Sequence, residues 1–181
     1  MIRTTTALAY IKRTIRELYS HSASTPVDGL LDPAWDRSVD IFPGMCMMRK
    51  SSAASGAGDL FTLLDATGSP YGLIDQYIAP VYGIDEPAAI GINAITVWVL
   101  SPGSEFEVMS PAFDADATWT FPTDGTPLLV HAYTGASSSD RGVLCPAGAT
   151  GASTKPIARA IARPATNRLI IGGLNSSAMY G

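Results

Sequence analysis

The first regular pattern of apolar positions lies near the start of the chain. Within residues 4–19, apolar side chains recur at spacings of three and four, and basic side chains occupy the other faces. This spacing predicts an amphipathic helix over residues 4–19. The apolar positions are Leu8, Ile11, Ile15, Leu18 and Tyr19, and the basic positions are Lys12, Arg13 and Arg16. The next stretch, HSASTPVDGLLDPAWD, is rich in Ser, Pro, Asp and Gly, and it predicts an extended connector.

From Asp40 onward, short apolar runs alternate with turn residues. Residues 94–100 (AITVWVL) are typical of a central strand, and because Val97 and Trp98 point to opposite faces, at least one should be fully buried. Residues 105–109 (EFEVM) alternate polar and apolar side chains as a half-buried strand does. Further strands are predicted at residues 41–49, 60–64, 73–78, 118–121, 128–133, 142–145, 157–163 and 168–174. The series indicates a mainly β fold, a compact barrel or a sandwich.

These patterns divide the chain into a helical and extended arm, residues 1–39, and a β-rich domain, residues 40–181. A lone helix of about four turns is marginal in water, so its apolar stripe is expected to lie against another surface. One element has two interpretations. Residues 157–163 fit a strand, or a helix with Pro156 in its first turn, and the β-prone run 169–171 favours a strand hairpin.

The charge is distributed unevenly along the 181 residues, which are 46% hydrophobic and only 15% charged. Residues 1–50 carry seven Lys and Arg against five Asp and Glu, whereas residues 51–126 carry ten acids and no Lys or Arg. Residues 127–181 carry five basic residues and one acid. Either the basic C-terminal third pairs with the acidic middle inside one fold, or the surface is polarised, with the basic ends facing an acidic partner. The sequence contains no basic run with interleaved aromatic residues, so it does not indicate nucleic-acid binding. Neither a membrane crossing nor a signal peptide is expected.

Residues that could carry chemistry are few and scattered. Cys46 and Cys145 lie in apolar runs without metal-ligand spacing, so we interpret them as buried free thiols. His131 in LLVHAY is expected to be a satisfied strand histidine, and His21 to be exposed. Asp114 and Asp116 are interpreted as a solvated turn, and Glu105 and Glu107 as the wet face of a strand. The sequence therefore predicts no catalytic residue, metal site or cofactor, and a binding or structural role remains.

Several segments together resemble a known class of proteins. FPGMCMMRK, LFTLLDATGSPYGLIDQYIAP, VWVLSPGSEFEVMSPAFD and RAIARPATNRLIIGGL follow one another over residues 40–174. Their order is similar to that of the capsid decoration, or cement, proteins of tailed bacteriophages. The resemblance implies a β domain on the outside of an icosahedral head, bound to the major capsid protein. It also implies self-association, with a trimer favoured and a dimer as the alternative, and synthesis in the bacterial cytoplasm.

The arm supplies the predicted partner-binding residues, which would contact the capsid or a neighbouring subunit. They are Arg3, Leu8, Ile11, Lys12, Arg13, Ile15 and Arg16. The basic residues of the C-terminal hairpin, among them Arg159, Arg163 and Arg168, are instead expected to pair with acids of the same fold or of a neighbouring copy. Two other functions stay open. One is a tail-tube or head–tail connector protein, and the other is a β-barrel enzyme with a site around His131.

Overall fold

The computed structural model describes residues 15–20 (backbone only), 24–32, 34, 40–50, 59–78, 94–135 and 140–174. These residues contain eleven strands and no helix. The strands are β1 Ile15–Ser20, β2 Thr25–Leu31, β3 Cys46–Lys50, β4 Leu60–Leu63, β5 Gly72–Ile74, β6 Ala94–Val99, β7 Ser104–Met109, β8 Leu128–Ala132, β9 Leu144–Pro146, β10 Ala158–Ala165 and β11 Arg168–Gly172. The predicted mainly β fold with a barrel is confirmed.

The strands form a closed barrel and a separate sheet. The barrel has the order β2-β4-β3-β5-β6 and closes through the pairing of β6 with β2. Its β2–β4 pair is parallel and its other pairs are antiparallel. The six-stranded sheet has the order β1-β7-β11-β10-β8-β9 and is antiparallel throughout. In chain order, β1 lies in the sheet, β2 to β6 build the barrel, and β7 returns to the sheet.

Side chains that alternate in burial along β6 help to fill the barrel. Ile95 and Val97 of β6 are 1% and 0% exposed, whereas Thr96 and Trp98 between and after them are half-buried. The ring of Phe61 lies against Gly29 of β2. A Cβ added at Gly29 would be 2.5 Å from the Cε2 atom of Phe61. Gly29 therefore provides the room that the largest side chain of the barrel interior needs.

The outside of the barrel packs on the sheet in one continuous core. Trp98 of β6 contacts Phe106 of β7, with ring centroids 6.0 Å apart. The amide of Cys46 in β3 donates to the carbonyl of Gly142, which precedes β9, at 2.7 Å. Gly142 has φ +75, and a Cβ there would be 2.6 Å from the Cys46 carbonyl oxygen, so glycine permits this close approach.

The N-terminal predictions require correction. The helix predicted over residues 4–19 is wrong for its last part, because Ile15–Ser20 is strand β1, paired with β7. Residues 1–14 lie outside the described residues. The predicted connector contains β2, which the Thr- and Pro-containing sequence TPVDGLL forms against β6. The predicted boundary between residues 39 and 40 therefore separates strands that hydrogen-bond to one another.

Most predicted strands of the β-rich region are present with shifted ends. Residues 118–121 form no strand, because this segment is an irregular connection whose Trp119 indole donates to the Asp114 carbonyl at 2.8 Å. The strand interpretation of residues 157–163 is confirmed: β10 and β11 form an antiparallel hairpin. The prediction that at least one of Val97 and Trp98 is fully buried is confirmed, because Val97 is 0% exposed.

Candidate functional site

The six-stranded sheet has one face against the barrel and one face turned away from it. Buried apolar residues such as Phe106, Val108, Leu169 and Ile171 alternate along β7 and β11 with half-buried or charged ones. We call the face that carries Glu105, Glu107, Arg159, Arg168 and Leu129 the outer face. The cross-strand register places one row across it, from Glu105 through Gly172 and Arg159 to Leu129.

Gly172 has no side chain, so two side chains of β10 lie directly over its backbone in this row. A Cβ at Gly172 would be 2.9 Å from Cδ1 of Ile161 and 3.3 Å from Nε of Arg159. Both side chains of β10 therefore lie over the Gly172 backbone, one apolar and one cationic. The register shift between Ala160 and Ala162 brings Ile161 to this position. Ile161 is 37% exposed and is the one exposed large hydrophobic residue among the described residues.

A groove of about 350 Å³ adjoins Arg159 and Ile161. Its other wall comes from the connection that leads into β8, which contributes Phe121, Pro122 and Pro127. Glu105 of β7 also lines it. None of these residues was predicted as a site residue. The alternation of Arg159, Ile161 and Arg163 with alanines in RAIARPA is the signal that could have indicated an exposed face of β10.

An ion pair between a buried carboxylate and a partly exposed arginine lies on the outer face. Nε of Arg168 donates to Oε2 of Glu107 at 3.0 Å, and the Arg168 Nη2 group bonds the same oxygen. The Glu107 side chain is only 8% exposed and that of Arg168 is 40% exposed. The interpretation of Glu107 as a wet-face residue is therefore wrong, because Arg168 of the neighbouring strand covers it. The predicted pairing of a C-terminal arginine with an acid of the same fold is confirmed here.

The other two arginines of the hairpin have different surroundings. Nη2 of Arg163 donates to the carbonyls of Ala115 and Thr166, at 2.5 and 2.8 Å. The buried Nε of Arg159 has no hydrogen-bond acceptor within the part of the chain that the structure describes. The buried Nε of Arg163 likewise has no acceptor there, so each of these two arginines keeps one buried donor unpaired in the described part of the fold.

The predicted partner-binding residues fall only partly within the described structure. Ile15 and Arg16 are the first residues of β1, opposite Val108 and Glu107 in the register with β7. Arg3, Leu8, Ile11, Lys12 and Arg13 lie outside the described residues. Because β1 is an end strand in the described sheet order, the N-terminal segment joins the fold at the edge of the six-stranded sheet.

Comparison with known families assigns the chain. The family model described as phage cement protein matches residues 1–178. The chain belongs to the phage cement protein family. No curated protein and no solved structure matches it. The predicted resemblance is confirmed, and membership makes the protein a capsid component of the virion with a structural, capsid-stabilising role.

The family is a structural class and not an enzyme class, and the candidate catalytic residue fits that assignment. His131 is 9% exposed on β8, and its Nδ1 atom lies 2.6 Å from the Ser153 carbonyl oxygen. A carbonyl partner at this distance fixes the ring as part of the core, as expected for a satisfied strand histidine. His21 lies outside the described residues.

Asp114 organises a turn through both of its carboxylate oxygens. Its Oδ1 atom accepts the amides of Asp116 and Ala117, both at 3.0 Å, and its Oδ2 atom accepts the Tyr133 hydroxyl at 2.6 Å. Burial and the bond to Asp114 raise the pKa of Tyr133.

Within the described ranges, no group of three or more His, Cys, Asp or Glu side chains could hold a metal ion. The same residues contain no helix that is long and apolar enough to span a membrane.

Proposed function

We propose that this protein binds the outer surface of an icosahedral phage head, contacts the major capsid protein, and stabilises the capsid lattice. The observation that carries the proposal is the match of the phage cement protein family to residues 1–178, which is nearly the whole chain. A protein that binds only the assembled shell stabilises the shell by mass action, and no catalysis is needed.

The composition supports a role in a repeating assembly. Only 15% of the residues are charged and 46% are hydrophobic. Contiguous apolar surface is a liability for a free monomer but is useful where it is covered by a partner. On a lattice, many copies each add weak contacts, and a tethered segment raises the effective concentration of the next contact.

The predicted N-terminal contacts remain part of the proposal. Residues 1–14 would cross a junction between shell subunits. The residues that would contact those subunits are Arg3, Leu8, Ile11, Lys12 and Arg13, followed by Ile15 and Arg16 at the sheet edge. A fully extended segment of fourteen residues reaches at most about 50 Å from the start of β1, which is longer than the diameter of a small domain. Self-association, as a trimer or alternatively as a dimer, would place several such segments on one site.

The test is where the protein lies in a purified particle and at what copy number. Undecorated heads from a phage lacking the gene are incubated with the full-length protein, and occupancy and thermal disruption of the heads are measured. Saturable binding with a copy number in proportion to the capsid subunits, and a raised disruption temperature, is expected. Six copies located in the tail would contradict the proposal and favour a tail-tube or connector protein.

The contribution of the N-terminal basic residues is tested separately. Lys12, Arg13 and Arg16 are replaced together by Ser, and occupancy on undecorated heads is measured across a salt series. Exposed charge pairs each contribute about 0–1 kcal/mol, so a modest, salt-dependent loss is expected. Replacement of Arg49 by Ser, which removes an exposed arginine of the barrel, is the control. Unchanged occupancy at every salt concentration would leave the apolar residues as the determinant.

A further inference from the structure

A second groove lies where the barrel meets the six-stranded sheet, and its volume is about 240 Å³. The barrel contributes Tyr71, which precedes β5, together with Val99 and Leu100 at the end of β6. The sheet contributes Ile157, which precedes β10, and Leu174, which follows β11. The groove therefore offers a largely apolar surface whose walls come from both parts of the fold.

The rim of this groove is polar. Ser69 lies on the side of the barrel and Lys155 on the side of the sheet, and both residues are exposed. An apolar cleft with hydrogen-bonding groups at its mouth suits a side chain with an apolar body and a polar tip. Tyrosine is such a side chain, because its ring is buried favourably while its hydroxyl group keeps a hydrogen-bond partner.

The chain itself arrives at this groove after β11. The amide of Gly173 donates to the carbonyl of Ser104 at 3.1 Å, and a Cβ at Gly173 would overlap the carbonyl oxygen of Ser101. The backbone directly before Leu174 is therefore held against the connection between β6 and β7. Leu174 is the last residue that the structure describes, and its side chain is 6% exposed in the wall of the groove.

The sequence after Leu174 supplies a matching side chain. Residues 175–181 read NSSAMYG, and Tyr180 follows Leu174 by six positions. Asn and Ser favour turns, and a β-turn reverses the direction of a chain within four residues. Six residues span at most about 20 Å when extended, so Tyr180 stays within a short distance of the groove in any conformation.

We propose that Tyr180 of the same chain occupies this groove, with its ring between the apolar walls and its hydroxyl group at the polar rim. Covalent connection to Leu174 gives Tyr180 a high effective concentration at the groove. Because the walls come from the barrel and from the sheet, the segment 175–181 acts as a strap that fastens one to the other. This role concerns the protein before it meets any partner.

Thermal unfolding of full-length variants measures the contribution of the strap. Tyr180→Ser is expected to lower the unfolding midpoint by about 4–8 °C, because it removes a buried aromatic side chain from a domain of this size. Tyr180→Phe keeps the ring and should lower the midpoint by about 2 °C or less. Met179→Ser is the matched control at the neighbouring position and should leave the midpoint unchanged.

A second substitution in the groove wall tests where the ring packs. Leu100→Ala removes part of the wall and lowers the midpoint by itself. If Tyr180 packs on this wall, Tyr180→Ser should lower the midpoint by less in the Leu100→Ala background than in wild type, because neighbouring residues do not act additively.

A disulfide trap identifies the chain that supplies Tyr180. Ser69→Cys and Tyr180→Cys are combined and oxidised by air with a copper catalyst, while the buried thiols of Cys46 and Cys145 stay reduced. A disulfide within one chain is expected. The matched control combines Tyr180→Cys with Asp124→Cys, since Asp124 is exposed and does not line the groove, and it should form this bond much more slowly.

Each alternative outcome overturns the inference. Additive effects of Tyr180→Ser and Leu100→Ala, or equal trapping rates for the two cysteine pairs, would show that Tyr180 does not occupy the groove. A disulfide between two chains would assign the groove to Tyr180 of a second copy. Head binding is measured separately, so these results leave the proposed function intact.

Discussion

Trp98 of the barrel and Phe106 of the sheet pack at a centroid distance of 6.0 Å with an interplanar angle of 53°. The two residues lie on consecutive strands, β6 and β7, which belong to different sheets. Their contact therefore joins the barrel to the sheet. It lies directly beside the turn at residues 100–103, where the chain passes from the barrel to the sheet. Phe106 is 1% exposed, so Trp98 is one of the side chains that cover it.

Replacement of Trp98 by Ala is expected to destabilise the protein by about 2–4 kcal/mol, because it removes the covering ring from Phe106 and leaves a cavity. Trp98→Phe should cost about 1 kcal/mol or less, since an aromatic contact remains. Urea denaturation followed by circular dichroism measures both values. A cost below about 1 kcal/mol for Trp98→Ala would mean that Trp98 serves a partner surface and not the junction of barrel and sheet.

The strands after Asp40 could be predicted because each pattern is local. The period-two alternation of EFEVM and the β-branched run of AITVWV correspond directly to β7 and β6. The N-terminal strands could not be predicted in the same way. Ile15–Ser20 contains no β-branched run beyond Ile15 and has helical spacing, and its pairing with β7, about ninety residues later, determines its conformation.

The N-terminal strands define a second prediction. A chain that starts at Ile15 keeps all eleven strands and is expected to fold cooperatively, with a loss of head binding under the proposed function. A chain that starts at Val39 lacks β1 and β2, so the barrel loses the strand between β4 and β6 and should not close. Circular dichroism and thermal unfolding distinguish the two. A cooperative transition in the shorter chain would mean that β2 is dispensable for the barrel.

Glu107 shows the limit of alternation as a guide to exposure. Alternation places Glu107 on the face of β7 that points away from Phe106 and Val108, but its side chain is only 8% exposed. Exposure there depends on what the neighbouring strand contributes, and Arg168 of β11 lies across it. The same reasoning applies to the groove beside β10, whose two walls come from residues about 35 positions apart. Sequence patterns report the face of a strand and not what lies over it.

The Arg168–Glu107 pair is expected to couple more strongly than the exposed Arg49–Asp59 pair. In a double-mutant cycle with Arg168→Gln and Glu107→Gln, a coupling energy of about 1–3 kcal/mol is expected, since the carboxylate is buried. The matched cycle with Arg49→Gln and Asp59→Asn should give about 0–0.5 kcal/mol, because 53% of the Arg49 side chain is exposed. Equal coupling energies would show that burial does not strengthen the Arg168–Glu107 bond.

The two cysteines define a fourth prediction. Cys46 and Cys145 are both buried and free, and burial raises the pKa of each thiol to about 12. Since the thiolate is the reactive form, neither thiol should react with iodoacetamide in the folded protein at pH 8. Both should react after unfolding in urea. Mass spectrometry of the labelled protein counts the modified sites, and rapid labelling of either cysteine in the native state would contradict its burial.

The last prediction concerns the dependence of stability on pH at the rim of the barrel. Asp32 follows β2, and its amide donates to the Phe61 carbonyl at 2.7 Å. Its carboxylate accepts from the Lys50 ammonium group of β3 and from the Ala34 amide. Burial alone would raise the pKa of Asp32, but these hydrogen bonds and the charge of Lys50 hold it below its usual value of 3.8.

A folded-state pKa below the unfolded one means that the unfolded chain binds more protons in acid. The Asp32 contribution to stability is therefore fully present above about pH 4–5 and is lost as the pH falls through the lowered pKa. Asp32→Asn should cost about 1–2 kcal/mol at pH 7 and less at pH 3, where part of the Asp32 contribution has been lost. Urea denaturation at pH 7, 5, 4 and 3 measures the difference. Lys50→Gln should reduce the same acid dependence, while Lys50→Arg should retain it. A difference between wild type and Asp32→Asn that is constant from pH 7 to pH 3 would show that the bond to Lys50 does not lower this pKa.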